Sequence, residues 1–383
     1  MNSDLVIHLN AIAYNWLQLK AKLNPTVECG AVVKADAYGL GVIPVVQVLL
    51  KAGCRHFYVA SLQEALFVQG QLDEIVEAHG LSTADCQLYV LSGCAPGEEL
   101  VFAEHRIVPV LISGEMFFRW CSALRGAGLR SGSVSSVLKV DTGMSRLGLS
   151  QDEFDLVVAS PKDLQTAGVK RLMSHLACAD EPNHPQNERQ LQRFQRYASR
   201  LKKLLPSLKC GLANSAGILL GDDYHFDTVR PGIAIYGGNP QLRAENIFRP
   251  VVELKLPVLQ VREISSDACV GYGATYCFSL PARVAVVAGG YADGLFRALS
   301  NHGECWIEKK GGKGWRAPIV GRISMDSTIV DISHLAESTV KAGDRLEFIG
   351  KNISLDEVAE KAGTIGYEVL TALGHRYLRT YKS

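Results

Sequence analysis

The stretch Ala31-Val32-Val33-Lys34-Ala35-Asp36-Ala37-Tyr38-Gly39-Leu40-Gly41 delivers a lysine at the end of an apolar run, with a tyrosine and two glycines close behind. An ammonium is strongly hydrated, so burying it lowers its pKa, and a neutral amine is what Schiff-base chemistry needs. A single lysine at a strand end most often just reaches solvent along its alkyl stem. Companions decide the reading. Asp141-Thr142-Gly143-Met144-Ser145-Arg146, His175, Asn214-Ser215 and Arg230-Pro231-Gly232-Ile233 are the polar groups that follow apolar runs in the same way. Each has a bland explanation: a turn, a core histidine, a helix N-cap, ordinary packing. Gathered on one rim they would make a cofactor pocket. It would hold an amine for a carbonyl, a hydroxyl and amide cradle for a phosphate, and an arginine beside a ring.

One rim requires a fold that gathers strand ends. Apolar strand-like runs recur near residues 30–34, 57–61, 87–92, 107–112, 136–141, 171–175, 210–214 and 228–235, with helical spacing between most of them. The clearest helix covers about 185–205, with Leu191, Phe194, Tyr197, Leu201 and Leu204 as its apolar stripe and its basic residues as a solvated face. Another is expected over 10–23, after a short strand at 5–9. Eight βα units in about 240 residues predict a parallel (β/α)8 TIM-type barrel, with a doubly wound open sheet as the competitor. In a barrel the chemistry sits at the carboxyl ends of the strands, where all these candidates fall. From about 250 the texture changes to short strands with glycine-rich turns, a second and mostly β domain. We place the domains at 1–244 and 245–383.

Bulk properties narrow the function classes. The 383 residues carry a net charge of +1, with 47% hydrophobic and 21% charged residues, the profile of an ordinary soluble protein with no nucleic-acid or membrane partner. The N-terminus has no secretory pattern and no run is long enough to span a bilayer, so a cytoplasmic protein is expected. The ten cysteines form no C-x-x-C pair and many lie in apolar runs. They are expected to be buried and reduced, without a disulfide framework or a metal site.

Taken in order, AVVKADAYGLG, LKVDTGMSRLG, SHLACADEP, ANSAG, VRPGIAIYG, GYGATY, GYADG, GRISMD and IGYE resemble the motifs of bacterial alanine racemases, pyridoxal-phosphate (PLP) enzymes of fold type III. The resemblance spans about Val6 to Arg379. It implies that Lys34 binds PLP covalently and that Tyr38, Asn214, Ser215, Tyr367 and the backbone at Gly232 and Ile233 surround the phosphate. It implies that Arg230 faces the pyridine nitrogen with His175 beside it, and that Arg146 and Met325 receive the substrate carboxylate. Tyr272 and Tyr291 would arrive from the second domain of the other subunit of a homodimer with shared active sites. Lys139 matches a lysine that is carbamylated in some relatives and then orients Arg146. Leu40, Gly366, Ser324 and Gly271 depart from the common pattern without removing a proposed catalytic group.

Racemisation needs a base on each face of the cofactor, and the resemblance gives these roles to Lys34 and Tyr272. A tyrosine is a poor base unless positive charge stabilises its phenolate, which a Tyr272–His175–Arg230 hydrogen-bond chain would supply. An arginine opposite the ring nitrogen leaves the pyridine unprotonated, a weaker electron sink that disfavours transamination. The expected activity is interconversion of L- and D-alanine, supplying D-alanine for peptidoglycan. A racemase for serine, lysine or several amino acids, a non-catalytic PLP-binding barrel and a decarboxylase on a similar plan are the alternatives.

Overall fold

The structure, a computed structural model, describes residues 4–78, 85–241, 244–308 and 314–383. Seven strands run parallel in chain order: Ala31–Val32, His56–Val59, Gln87–Val90, Val108–Leu111, Ser136–Lys139, Val169–Met173 and Lys209–Gly211. They read as almost unbroken apolar runs because helices cover one face and the barrel interior the other. The eighth strand, Thr228–Val229, pairs in parallel with Glu28–Cys29, the run that leads into the first strand. Its other edge meets the seventh strand through the Asn214–Arg230 bridge, where Arg230 N donates to Ala213 O at 2.9 Å. The sheet is therefore closed, a barrel and not a doubly wound open sheet.

The eighth strand is shorter than the expected 228–235. Gly232 turns its amide onto the Ser215 hydroxyl, and Ile233–Tyr236 winds into a 3-10 helix. The helix Pro185–Lys202 starts on Pro185, with His184 Nδ1 accepting from Gln186 N. It buries Leu191, Phe194, Tyr197 and Leu201, whereas Leu204 lies past its end and is exposed.

The second sheet is built on Val252–Ile264, which pairs antiparallel with Ala282–Ala288, Arg345–Ile349 and Asp4–His8. Asp4–His8 also pairs in parallel with Leu378–Lys382. The opening strand thus belongs to the C-terminal sheet. An alternating apolar strand does not reveal which sheet it joins. Asn15, fully buried in the first helix, fastens the two halves together. Its Nδ2 donates to Ile235 O at 3.3 Å and Arg249 O at 3.0 Å, and its Oδ1 accepts from Arg249 N at 2.8 Å. Glu304–Glu308 and Gly314–Pro318 form a hairpin, whose tip at 309–313 lies outside the described residues.

Cysteine usage differs from expectation in one place. Cys269 and Cys277 form a disulfide across the two-residue ladder Cys269–Val270 with Tyr276–Cys277. A separation of eight is no disulfide signal in a sequence; only the fold-back of this loop makes the two residues neighbours. The other eight cysteines are free, and all of these but the partly exposed Cys178 are buried. Among the described residues no helix is long and apolar enough to cross a membrane.

The amino end of the barrel is a charged plug. Glu28 accepts from Arg171 at 2.6 Å and from Lys209, and His56 stands 3.4 Å from it. Tyr58 and Tyr89 stack above them with centroids 4.6 Å apart. Burial and the Arg171 charge push the His56 imidazole down to about 4. The unfolded chain therefore takes up a proton at this residue well before the folded one. His56 costs nothing above its ordinary value of 6.5, and its contribution to stability is lost as pH falls from there toward 4. At roughly 1.4 kcal/mol per unit, the loss approaches ~3 kcal/mol. Urea unfolding of wild type and His56→Gln should show the pH 7 to pH 5 drop shrinking in the variant; equal drops would remove His56 as its source.

Candidate active site

Lys34 follows the first strand and opens a turn in which Ala35, Asp36, Ala37 and Tyr38 all adopt left-handed backbone conformations, φ +52 to +59. Four such residues in a row are costly without glycine, so the surroundings must hold them. Glu64 accepts from Ala35 N at 2.8 Å and Ala60 N at 2.7 Å. Asp36 Oδ1 accepts from Val42 N at 2.7 Å, and the Arg379 guanidinium donates to Gly39 O at 3.1 Å. Within this turn Lys34 remains accessible, whereas Tyr38 is buried against Tyr236 and Tyr367, with centroids at 4.6 and 5.9 Å.

Tyr38, Ser215 and Gly232 converge. The Ser215 hydroxyl accepts from Gly232 N at 2.8 Å and Ala234 N at 3.4 Å. A Cβ at Gly232 would collide with the Tyr38 hydroxyl, so only glycine lets backbone and phenol come this close. The Ala234 amide thus turns to the same hydroxyl as that of Gly232, and Ile233 between them is buried. Asn214 is a helix cap, its Oδ1 accepting from Gly217 N at 2.9 Å. Burial pushes the phenols of Tyr38 and Tyr367 up, Tyr367 to about 12, so both stay neutral O–H donors at neutral pH. Two amides and three hydroxyls suit a phosphate.

Arg230 is buried at the centre of the cluster. Its Nη2 donates to Ser174 O at 2.6 Å and Leu212 O at 3.3 Å, while its Nη1 is buried and has no hydrogen-bond partner among the described residues. An unpartnered guanidinium nitrogen is expensive, and an acceptor supplied by a ligand would satisfy it. Gly211 makes the room, since its Cβ would lie 3.0 Å from that Nη1. Burial followed by the charges of Arg230, Lys139, Arg146 and Lys34 holds His175 well below the ordinary histidine value, so its imidazole is neutral. Burial, Arg230 and Arg146 bring Lys139 down to about 8, and burial with Arg146 lowers Lys34. No His175–Arg230 hydrogen bond forms among the described residues; the two interact through the field alone, so the expected three-residue chain is not made within one subunit. Asp141 Oδ1 collects the amides of Gly143, Met144 and Ser145 at 2.8 to 3.2 Å, and this turn leads into the exposed Arg146.

Several positioning residues were not foreseen. Gln190, fully buried on the long helix, donates to Thr142 Oγ1 at 3.0 Å and His175 O at 2.9 Å, and accepts from Ala177 N at 2.8 Å. Thr142 meets Ser174 Oγ at 2.8 Å, which donates to Val140 O. The network ties His175 and the Arg230 acceptor Ser174 to one frame. Ser174 lies in a quoted motif, but a glutamine in an arginine-rich helix carries no sequence signal of burial.

Not every candidate joins the cluster. Tyr272, Tyr291 and Met325 stand on the C-terminal domain and are exposed, Tyr272 by 71%. Tyr291 and Met325 are mutual neighbours, because Ala292 N donates to Met325 O at 3.1 Å and Tyr291 N to Ser324 O at 3.0 Å. Tyr367, from the same domain, does reach the barrel's own Tyr38.

A closed parallel barrel carrying a lysine, a phosphate-type cradle and a buried arginine at its carboxyl rim, followed by a β domain, defines a class of cofactor-dependent barrel enzymes. The chain belongs to the alanine racemase family: the "Alanine racemase, N-terminal domain" family matches residues 7–240 and the "Alanine racemase, C-terminal domain" family matches 251–381. It is 43% identical over 380 residues to a catabolic alanine racemase of Agrobacterium fabrum, covering 99% of this chain and 92% of that one. An alanine racemase of Rhodospirillum rubrum is 42% identical, with 98% and 95% covered. The crystal structure of the Bartonella henselae alanine racemase with covalently bound pyridoxal phosphate superposes with a TM-score of 0.89 at 36% identity, over 100% of both chains.

Gln190→Leu should strand the His175 carbonyl and the Ala177 amide, each costing ~1–3 kcal/mol when buried unpaired. Chemical denaturation should show a loss of that order, with Gln190→Glu keeping more of the stability; an unchanged midpoint for Gln190→Leu would mean the frame does not depend on this side chain.

Proposed function

We propose that Lys34 and Tyr272 are the two proton-transfer groups of this alanine racemase, which interconverts L- and D-alanine with PLP. The observation that carries the reading is the buried Nη1 of Arg230, left without a partner among the described residues, with Lys34, whose amine is held below its usual value, acting on the same His175. Lys34 would hold PLP covalently through Nζ, Tyr38, Ser215, Tyr367 and the Gly232 amide would hold its phosphate, and Arg230 Nη1 would donate to its ring nitrogen. Bound PLP supplies an electron-accepting ring that acidifies the α-carbon.

The chain's own groups do the rest. Lys34 Nζ moves the α-proton on one face and Tyr272 Oη on the other. The lowered amine of Lys34 keeps more of it in the neutral, proton-accepting form at working pH. Arg146 receives the substrate carboxylate, with the Met325 amide assisting and Tyr291 narrowing the approach. His175, neutral and next to Arg230, is an acceptor or donor for Tyr272 of the partner subunit without adding charge of its own. Lys139 is available for carbamylation. Its neutral amine is the reactive form, and a carbamate would be compensated by Arg230, Arg146 and Lys34.

Tyr272, Tyr291 and Met325 are exposed on a domain whose Tyr367 serves its own barrel. This supports a homodimer in which those three complete the partner's site, with the domain that begins near 245 as the donor. A cytoplasmic setting is part of this reading. Supply of peptidoglycan fits the biosynthetic direction, and relatives named catabolic mark the opposite one.

Incubation with PLP and L-alanine, L-serine or L-lysine, followed by chiral chromatography, should give D-alanine foremost; D-serine or D-lysine in excess would shift the substrate. Lys34→Ala should lower turnover at least ~1000-fold and release PLP on dialysis. Mixing Lys34→Ala with Tyr272→Phe subunits should restore up to about a quarter of wild-type activity if sites are shared across a two-fold axis. No recovery, with mixed dimers verified, would refute sharing.

A further inference from the structure

We infer that Cys269 and Cys277 are a reversible disulfide pair that positions the Tyr272 phenol, so that oxidation of these two thiols sets the activity of one face of the site. The inference rests on Tyr272 being a proton-transfer group. The crosslink closes a loop between residues eight apart, and Tyr272 lies inside it.

Hydrogen bonding within that loop is sparse above its base. Its ladder is two residues long on each side and joins no larger sheet, a length that is marginal without other support. Gly271, Gly273 and Ala274 have φ of +73, +75 and +47, and two glycines give the released segment wide freedom. Among the described residues, side-chain support at the tip is one hydrogen bond, from Asn301 Nδ2 to Thr275 Oγ1 at 3.3 Å, and the Arg322 guanidinium lying beside Gly273. The apolar anchors, Val270 and Phe278, sit at the base beside the cysteines. The Tyr272 ring is exposed, so its place depends on the backbone beneath it. Misplacing a reacting group by about 1 Å can cost on the order of 100-fold in rate.

Both sulfurs belong to residues exposed on the single chain, whereas seven of the eight free cysteines are buried. An exposed pair is open to thiol exchange, and in a reducing compartment such disulfides are transient and redox-sensing. The step balances: two thiols lose two protons and two electrons and form one S–S bond. A low-molecular-weight disulfide such as oxidised glutathione accepts them and leaves as two thiols. A dithiol reverses the reaction.

The holoenzyme equilibrated with oxidised glutathione and then unfolded should expose eight alkylatable cysteines, and all ten after dithiothreitol. Exchange of the α-proton in D2O, followed separately from L- and D-alanine, reads each face. Reduction, and Cys269→Ser/Cys277→Ser, should slow exchange from the enantiomer served by Tyr272 roughly ten-fold or more, leave the Lys34 face nearly unchanged, and recover on reoxidation of the wild type. Ten alkylatable thiols under oxidising conditions, unchanged exchange, or equal loss from both enantiomers would overturn the inference. Tyr272→Phe separates the two claims. If it too slows both faces equally, the base assignment has failed; if it is selective while reduction is not, the disulfide proposal alone has failed. If the double serine variant is unfolded by circular dichroism, reduction of the wild type decides.

Discussion

The structure turns on one buried charge. Arg230 leaves the eighth barrel strand and is carried into the interior, where Ser174 O and Leu212 O take two of its donors and nothing among the described residues takes Nη1. A guanidinium stays ionised even when desolvated, so the protein cannot relieve the cost by losing a proton. The charge is instead imposed on its neighbours. Burial lowers the proton affinity of Lys139 and His175, and the Arg230 charge lowers it further in both. A cluster of cations is thereby prepared for anionic ligands, while its nitrogen bases stay largely unprotonated.

Holding that arrangement takes strain and a frame. The left-handed turn 35–38 stores roughly 1–2 kcal/mol per non-glycine residue. Glu64, Asp36 and Arg379 tie it down, and burial of Tyr38 against Tyr236 and Tyr367 offsets part of the cost. In return the same turn leaves Lys34 accessible and sets Tyr38 against Gly232 and Tyr367. On the opposite wall the Thr142–Ser174–Gln190 network fixes the carbonyls on which Arg230 and His175 depend. Buried polar networks of this kind specify a single geometry because any half-made alternative leaves donors stranded.

The two domains are interlocked rather than strung together. The first strand is sewn into the C-terminal sheet, the last strand lies beside it, and Arg379 reaches back to the lysine turn. Tyr367 therefore packs against Tyr38 of its own barrel, while Tyr272, Tyr291 and Met325 on the same domain are exposed.

Much of this was written in the sequence. Apolar runs alternating with helical stretches required a parallel sheet closed by helices, and the polar residues at run ends had to meet on its carboxyl rim; Lys34, Tyr38, His175, Ser215 and Arg230 do. Their chemistry belongs to residue type, so it survives any uncertainty of a residue or two in where a strand stops. Tertiary structure alone decided contacts between distant segments: Gln190 against Thr142, Ala234 turning to Ser215, Asp4–His8 in the far sheet, and Cys269 against Cys277. Periodicity records which face of an element is apolar. It does not record which element, or which carbonyl, that face will meet, because that choice is made by the closure of the whole chain.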